Sequence, residues 1–403
     1  MRGGDLEREL RRLRPGDLVA VPAPTGPGWP GLVRLAWAAG AAVLPVDPRL
    51  PEPAAAALIG AARPAARLDG TELRRLRGGE PVADGVGLVM PSSGTTGPPK
   101  LAELPREALR AAVSASARRL GATPSDPWLG WLPVAHMGGM LVVLRAALLG
   151  APATLRPRFD PGELDAFVRG RGGFTAVVPT MLRRLLDAGA PVHLLRAVLV
   201  GAGGTDPGLA ARAAAADAPI VRTYGMTESC GGVLYEGAPL EGVEVGIGPE
   251  GEVLLRGPTL MRGYRFDPEA TARAIDGDGW LHTGDAGRLE DGILRVDGRL
   301  DDLIVTGGEK VWPEEVEAVL REHPAVADAA VGGVPDEEWG QRVVAFVVPA
   351  LPGAPPGLED LRSLIGERLS RVKAPRELRL VPEVPRTASG KVRHDLLRAG
   401  EDV

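Results

Sequence analysis

The sequence predicts an α/β fold. It has a large N-terminal domain of layered, mostly parallel sheets with helices, then a β-rich subdomain, then a small α+β C-terminal domain. Three observations predict it. Between residues 32 and 200, short apolar runs suited to buried strands alternate with helix-like stretches, the pattern of parallel strands joined by crossover helices. From Gly242 onward the texture changes to short strand-like runs separated by Gly and Asp turns. After Asp297-Gly298-Arg299 the pattern becomes strand, helix, strand, helix.

Taken in order, Leu32, Leu35, Ala36 and Ala39 suit one face of a helix, and residues 41–46 read as a buried strand closed by Pro48. Residues 86–90 are a second apolar strand. Residues 107–120 are helical, 128–132 a strand and 141–149 a buried helix. Two more buried strands, 174–178 and 197–200, flank a helical stretch at 181–188. In such folds, ligand sites gather in loops at the carboxyl ends of the strands. Beyond Gly242, residues 251–256 and 292–296 read as strands. The C-terminal part begins with a strand at 303–305 and a Gly307-Gly308 turn. Pro313-Glu314-Glu315 opens a helix, since proline fits the first turn and the acids complement its dipole. Val316, Val319 and Leu320 give that helix an apolar face, residues 343–348 form a strand, and 361–369 a second helix. The domain boundary falls at 299–302, leaving residues 1–298 on one side and 303–403 on the other.

At 403 residues the chain suffices for roughly two or three domains. Hydrophobic residues at 44% can fill a large core, and a net charge of −5 gives no global field for nucleic acid. The single Cys230 excludes an internal disulfide framework, and five scattered histidines argue against a His-rich metal site. The N-terminus lacks the apolar core of a signal peptide, and the most apolar window, 137–155, carries Arg145. A membrane span would carry that charge at about 2.5–3.5 kcal/mol. The expectation is therefore a cytoplasmic protein, free of membrane and nucleic acid. Of 47 basic residues only Lys100, Lys310, Lys373 and Lys391 are lysines.

The segment Ser92-Ser93-Gly94-Thr95-Thr96-Gly97-Pro98-Pro99-Lys100 follows a strand. Its glycines let backbone N–H groups turn toward an anion, its hydroxyls add donors, and its lysine adds charge. It lacks Walker A spacing, and its prolines block an immediate helix. From the residues alone, a phosphate cradle and a Ser/Thr-rich surface turn both remain open.

This segment resembles the phosphate loop of the adenylate-forming superfamily, which contains acyl- and aryl-CoA ligases, peptide-synthetase adenylation domains and firefly-type luciferases. Five further segments resemble that family's motifs in its order. They are Tyr224-Gly225-Met226-Thr227-Glu228, Trp280-Leu281-His282-Thr283-Gly284-Asp285 and Gly298-Arg299-Leu300-Asp301-Asp302, then Gly307-Gly308-Glu309-Lys310-Val311 and Pro385-Arg386-Thr387-Ala388-Ser389-Gly390-Lys391. The resemblance implies that Ser92, Ser93, Gly94, Thr95, Thr96, Gly97 and Lys100 hold ATP phosphates. It implies that Tyr224 stacks on adenine, Thr227 meets the α-phosphate and Glu228 holds Mg²⁺. Asp285 would take the ribose hydroxyls with Arg299 in support; otherwise Thr283-Gly284-Asp285 is a plain turn. Gly203 would belong to a small-residue segment beside adenine and the acyl pocket; a plain strand-to-helix glycine turn also stays open. The resemblance places His136 at the border of that pocket among the catalytic residues, with a core histidine as the open alternative, and implies that Gly231 with Gly232 would leave room for an aromatic ring.

The resemblance also implies two half-reactions, with ATP, Mg²⁺ and coenzyme A. Lys391 contacts the substrate carboxylate and the α-phosphate while the acyl-adenylate forms. The small C-terminal domain is mobile: it swings about Asp301 and brings Gly308 toward the pantetheine tunnel for attack by the thiol. Within the superfamily, the compact chain and segments such as Glu338-Trp339-Gly340-Gln341-Arg342 resemble the actinobacterial 2-succinylbenzoate–CoA ligases of menaquinone synthesis. Another small-acid or aryl-CoA ligase, an enzyme loading a carrier protein, and a non-catalytic nucleotide binder stay open, as does a homo-oligomer.

Overall fold

The computed structural model describes residues 3–92, 100–203, 207–386 and 392–398. Six strands come first: β1 (Leu18–Val21), β2 (Ala42–Pro45), β3 (Ala66–Asp69), β4 (Glu72–Arg75), β5 (Val86–Pro91) and β6 (Leu101–Pro105). β5, β2, β1 and β3 lie side by side in parallel, with β6 and β4 antiparallel at the flanks. β1 and β2 are buried throughout, as expected of strands covered on both faces. Helices Trp29–Ala38 and Glu52–Ala62 provide the crossovers.

A second sheet contains β7 (Trp128–Gly130), β8 (Ala153–Leu155), β9 (Phe174–Val177), β10 (Ala197–Val200), β11 (Ile220–Met226), β12 (Gly231–Tyr235) and β13 (Ala238–Pro239). Its order is β13-β12-β11-β10-β9-β7-β8, parallel from β8 to β11 and antiparallel from β11 to β13. The layered, mostly parallel expectation is met. Arg145 belongs to helix Met137–Leu149, buried, with its guanidinium 4.0 Å over the Trp128 ring and a 2.8 Å bond to Ser116 Oγ. Among the described residues, no helix is long and apolar enough to cross a membrane.

Five strands follow: β14 (Glu244–Ile247), β15 (Glu252–Arg256), β16 (Gly263–Tyr264), β17 (Leu281–Glu290) and β18 (Ile293–Arg299). β16 returns to the first sheet beside β6, and the others form a four-stranded sheet in the order β14-β15-β17-β18. Last come β19 (Ile304–Thr306), β20 (Glu309–Val311), β21 (Val326–Asp336), β22 (Gly340–Pro349) and β23 (Glu377–Leu380), ordered β20-β19-β22-β21 with β23 alongside β22. Helices Pro313–Leu320 and Leu358–Arg368 accompany them, and Val316, Leu320, Val331, Val343, Leu361 and Ile365 belong to one buried cluster. Each such side chain contributes about 1.5–3 kcal/mol by burial.

Two compact units result. One comprises Met1–Ala202, Arg212–Val245 and Leu255–His282; the other comprises Gly203–Ala211, Gly246–Leu254 and Thr283–Val403. The division at 282/283 precedes the 299–302 boundary expected from the sequence.

Candidate active site

In the first unit, β5 and β6 fix both ends of the loop expected to bind phosphate. Ser92 is buried, and its N–H donates to the Lys100 carbonyl at 2.8 Å. Ser93, Gly94, Thr95, Thr96 and Gly97 lie outside the described residues. Lys100 is exposed, with its Nζ 5.1 Å from the centroid of the Tyr264 ring. The Tyr264 hydroxyl in turn donates to Glu228 Oε1 at 2.8 Å. Strand register explains the meeting: Tyr264 on β16 pairs with Ala102, two residues beyond Lys100. Meanwhile Met261 N–H donates to the Glu228 carbonyl at 2.7 Å. The structure therefore brings Lys100 over the ring, and Glu228 to the hydroxyl, of one aromatic side chain.

Tyr224 and Glu228 are set by a tight strand-to-turn passage. Tyr224 lies on β11 opposite Leu234, and the register slips between Tyr224 and Gly225, a bulge of the kind that re-aims side chains. Only glycine fits at 225, where φ is +155° and a Cβ would lie 2.0 Å from the Gly231 carbonyl oxygen. Thr227–Ser229 then forms one helical turn, held by Ser229 Oγ, which accepts from Met226 N–H at 3.0 Å. That turn presents Thr227 and buries Glu228. Glu228 is a single carboxylate, the kind of ligand Mg²⁺ takes alongside nucleotide phosphates, so the residue fits the ion.

Elsewhere in this unit the outcome is mixed. His136 caps helix Met137–Leu149, its Nε2 is buried without a hydrogen-bond partner, and burial holds its pKa below the usual value despite Asp47 nearby. A neutral ring with an unpartnered nitrogen suits the pocket role better than a catalytic one. Gly231 and Gly232 do not leave a vacancy. A Cβ at 231 would meet Leu141 Cδ1 at 2.5 Å, and one at 232 would meet Thr223 at 3.1 Å. Close packing accounts for both.

In the second unit, Asp285 and Arg299 are register partners across β17 and β18. Arg299 Nη1 donates to Asp285 Oδ1 at 3.0 Å and to the Thr283 carbonyl at 2.8 Å. Burial opposes the charge on Arg299, but Asp285, backed by Asp301 and Asp302, raises its pKa. Thr283-Gly284-Asp285 is therefore no plain turn. It lies inside a ten-residue strand, anchored by Thr283 Oγ1 donating to the Val253 carbonyl at 2.7 Å. Asp301 is exposed, with Arg299 Nη2 4.0 Å from its carboxylate. Gly203 is exposed too, and Gly308 adopts φ +84° with open space where a Cβ would sit. By contrast a Cβ on Gly307 would lie 2.8 Å from the Trp339 ring. Lys373 is committed to Glu315 through two 2.7 Å contacts, which explains why no catalytic role attaches to it. Lys391 lies outside the described residues.

Tyr264 is a candidate site residue missed in the sequence. Its signal was its rarity: the chain has three tyrosines, and this one stands in a two-residue strand. Tyr264→Phe removes a hydrogen bond to a carboxylate, worth about 1.5–3 kcal/mol. We expect Mg²⁺-dependent nucleotide binding, measured by calorimetry, to weaken about tenfold or more, and binding without Mg²⁺ to change little. Equal weakening with and without the ion would contradict the link to Glu228.

Comparison with known proteins adds independent findings. A family described as "AMP-binding enzyme" matches residues 66–265, and "AMP-binding enzyme C-terminal domain" matches residues 315–391. A "Probable 2-succinylbenzoate--CoA ligase" of Mycobacterium tuberculosis is 42% identical over 334 residues, covering 79% of this chain and 86% of that protein. The solved o-succinylbenzoate CoA synthetase of Bacillus subtilis, in complex with its acyl-adenylate intermediate, superposes with a TM-score of 0.89 at 26% identity, covering 100% of this chain and 92% of that one. The same Bacillus enzyme with ATP and magnesium ion gives 0.87 at 26% identity, covering 98% and 93%.

Proposed function

Since the chain belongs to the AMP-binding enzyme family, we propose that it is an ATP-dependent 2-succinylbenzoate–CoA ligase. In the first half-reaction an oxygen of the substrate carboxylate attacks the α-phosphorus of ATP, and the bond to pyrophosphate breaks. In the second the CoA thiol, losing its proton, attacks the activated carbonyl and AMP leaves. The 42% identity to the mycobacterial ligase across most of both chains carries the substrate assignment. No observation favours a carrier-protein thiol over CoA.

The residues take the following parts in this proposal. Lys100 and the loop before it hold the β- and γ-phosphates, and Tyr224 stacks on adenine. Thr227 donates to the α-phosphate. Glu228, steadied by Tyr264, holds Mg²⁺, which when bound offsets phosphate charge. Asp285, oriented by Arg299, accepts from the ribose hydroxyls. Lys391 places its ammonium between two anions that otherwise repel, the attacking carboxylate and the α-phosphate, and stabilises the charge that develops there. Turning about Asp301 withdraws Lys391 and admits the thiol past Gly308, so that one site serves both steps.

The test is a panel of carboxylic acids including 2-succinylbenzoate, incubated with ATP, Mg²⁺ and CoA and scored by thioester mass. We expect the 2-succinylbenzoyl thioester to dominate. Turnover of another acid with none of this one would replace the substrate and leave the family intact.

A further inference from the structure

The C-terminal unit holds a buried chain of ion pairs that no step above uses. His394, itself buried, stands between two carboxylates, with Nε2 2.8 Å from Glu317 Oε1 and Nδ1 3.3 Å from Asp302 Oδ2. Glu317 Oε1 also accepts from Val331 N–H at 3.0 Å, and its Oε2 accepts from Arg321 at 3.1 Å. Arg321 continues to Asp328 at 3.3 Å, and Asp328 receives Arg386 at 2.7 and 3.0 Å. On the far side Arg398 donates to Asp302. Burial works against a charged His394, but Asp302 and Glu317 outweigh it and lift its pKa to about 10, so the ring is a cation at neutral pH.

Charges buried in this way add little stability over well-packed apolar side chains, whereas removing one partner of such a pair is costly. What the chain of pairs joins is informative. Asp302 follows the hinge residue Asp301. Arg386 and His394 flank the segment 387–391, whose last residue is Lys391. The two ends of that segment also meet directly, through a bridge between Arg386 and Val392 and a 2.9 Å bond from Arg393 N–H to the Pro385 carbonyl.

We propose that His394, with Asp302 and Glu317, is a positioning residue for Lys391: it ties both ends of the lysine-bearing segment to the hinge-proximal Asp302 and to helix Pro313–Leu320. This inference rests on the adenylation role given to Lys391 above. A misplacement of about 1 Å can cost about a hundredfold in rate, so slack at the base of the segment registers in the first half-reaction. The second half-reaction does not use the lysine and is spared.

The experiment compares His394→Ala, His394→Gln, Arg386→Gln and Lys391→Ala in the full chain, together with the double variant His394→Ala/Lys391→Ala. Adenylation is read as acid-dependent exchange of pyrophosphate into ATP, and thiolation as CoA-dependent consumption of supplied acyl-adenylate. We expect His394→Ala to lower the adenylation kcat about tenfold or more, with KM for ATP and the thiolation rate each within about twofold. His394→Gln recovers part of the loss. Arg386→Gln, whose ion pair is only partly buried, gives the same split at smaller size. The double variant is no slower than Lys391→Ala alone, because the two act through one group. Equal losses in both half-reactions, or additive losses in the double variant, overturn the proposal. Lys391→Ala with adenylation intact overturns the lysine's role instead, and the positioning role with it.

Discussion

Lys391→Ala is expected to lower acyl-adenylate formation by about 10²–10³-fold, the loss typical when a preorganised group that stabilises transition-state charge is removed. The substrate carboxylate and the α-phosphate are both anionic when they meet. Without a cation between them, the repulsion and the charge gained by the leaving pyrophosphate are met by solvent alone. Thiolation of supplied acyl-adenylate is expected to stay within about twofold, because the mixed anhydride is already formed and the thiol attacks a neutral carbonyl. Binding of ATP changes little in the same reading, since the phosphate loop and Glu228 lie elsewhere in the sequence. Pyrophosphate exchange for the first step and thioester mass for the second separate the two. Equal losses would show that Lys391 serves a structure common to both.

The second large effect is expected at Glu228. Glu228→Gln keeps the shape of the side chain and an acceptor for the Tyr264 hydroxyl, but removes the negative charge. A neutral amide is a poor ligand for a hard divalent cation. We expect adenylation to fall about a hundredfold at ordinary Mg²⁺ and to recover in part as Mg²⁺ is raised. Circular dichroism and the melting temperature should be nearly unchanged, because the turn is held by Ser229 and by the Glu228 carbonyl rather than by its carboxylate. A loss that ignores the Mg²⁺ concentration would contradict the assignment. With Tyr264→Phe as a milder companion, the two variants form a graded series on one carboxylate.

Local pattern made much of this fold legible. The strand at 197–200 is fully apolar and bounded by Arg196 and Gly201, and the structure assigns it the same limits. The helix expected at 107–120 forms at Arg106–Leu120, where Gly121 ends it in the left-handed conformation. What escaped detection depended on tertiary cover. β21 reads Val-Ala-Asp-Ala-Ala-Val-Gly-Gly-Val-Pro-Asp, a composition weak in strand formers. It forms because β22 pairs with it along nearly its whole length. Its glycines also admit close neighbours, with Leu397 3.0 Å from a Cβ built at 332 and Ile304 3.1 Å from one at 333. Thr283-Gly284-Asp285 suggested a turn because glycine and aspartate favour turns, and Gly284 does take a left-handed φ of +68°, yet the segment lies within β17, where pairing with β18 from Asp285 onward sets Asp285 against Arg299.

The candidate site divides along the same line. Candidate residues within a contiguous motif, such as Tyr224, Thr227 and Glu228, stand out because the end of β11 and the turn that follows it carry them together. Tyr264 and His394 were silent because their partners are remote in sequence: Glu228 lies 36 residues from Tyr264, and Glu317 lies 77 residues from His394. Neither separation leaves a periodic trace. Sheet register delivers the first contact, and the packing of helix His394–Arg398 against β21 accompanies the second.

One measurement bears most directly on the central claim. The purified chain is mixed with ATP, Mg²⁺ and 2-succinylbenzoate without CoA, quenched after a single turnover and weighed; CoA is then added to a parallel sample. We expect an acid-dependent acyl-adenylate with stoichiometric pyrophosphate, converted on CoA addition to the thioester and AMP. ADP and phosphate in place of AMP and pyrophosphate, or no product from any acid, would contradict it.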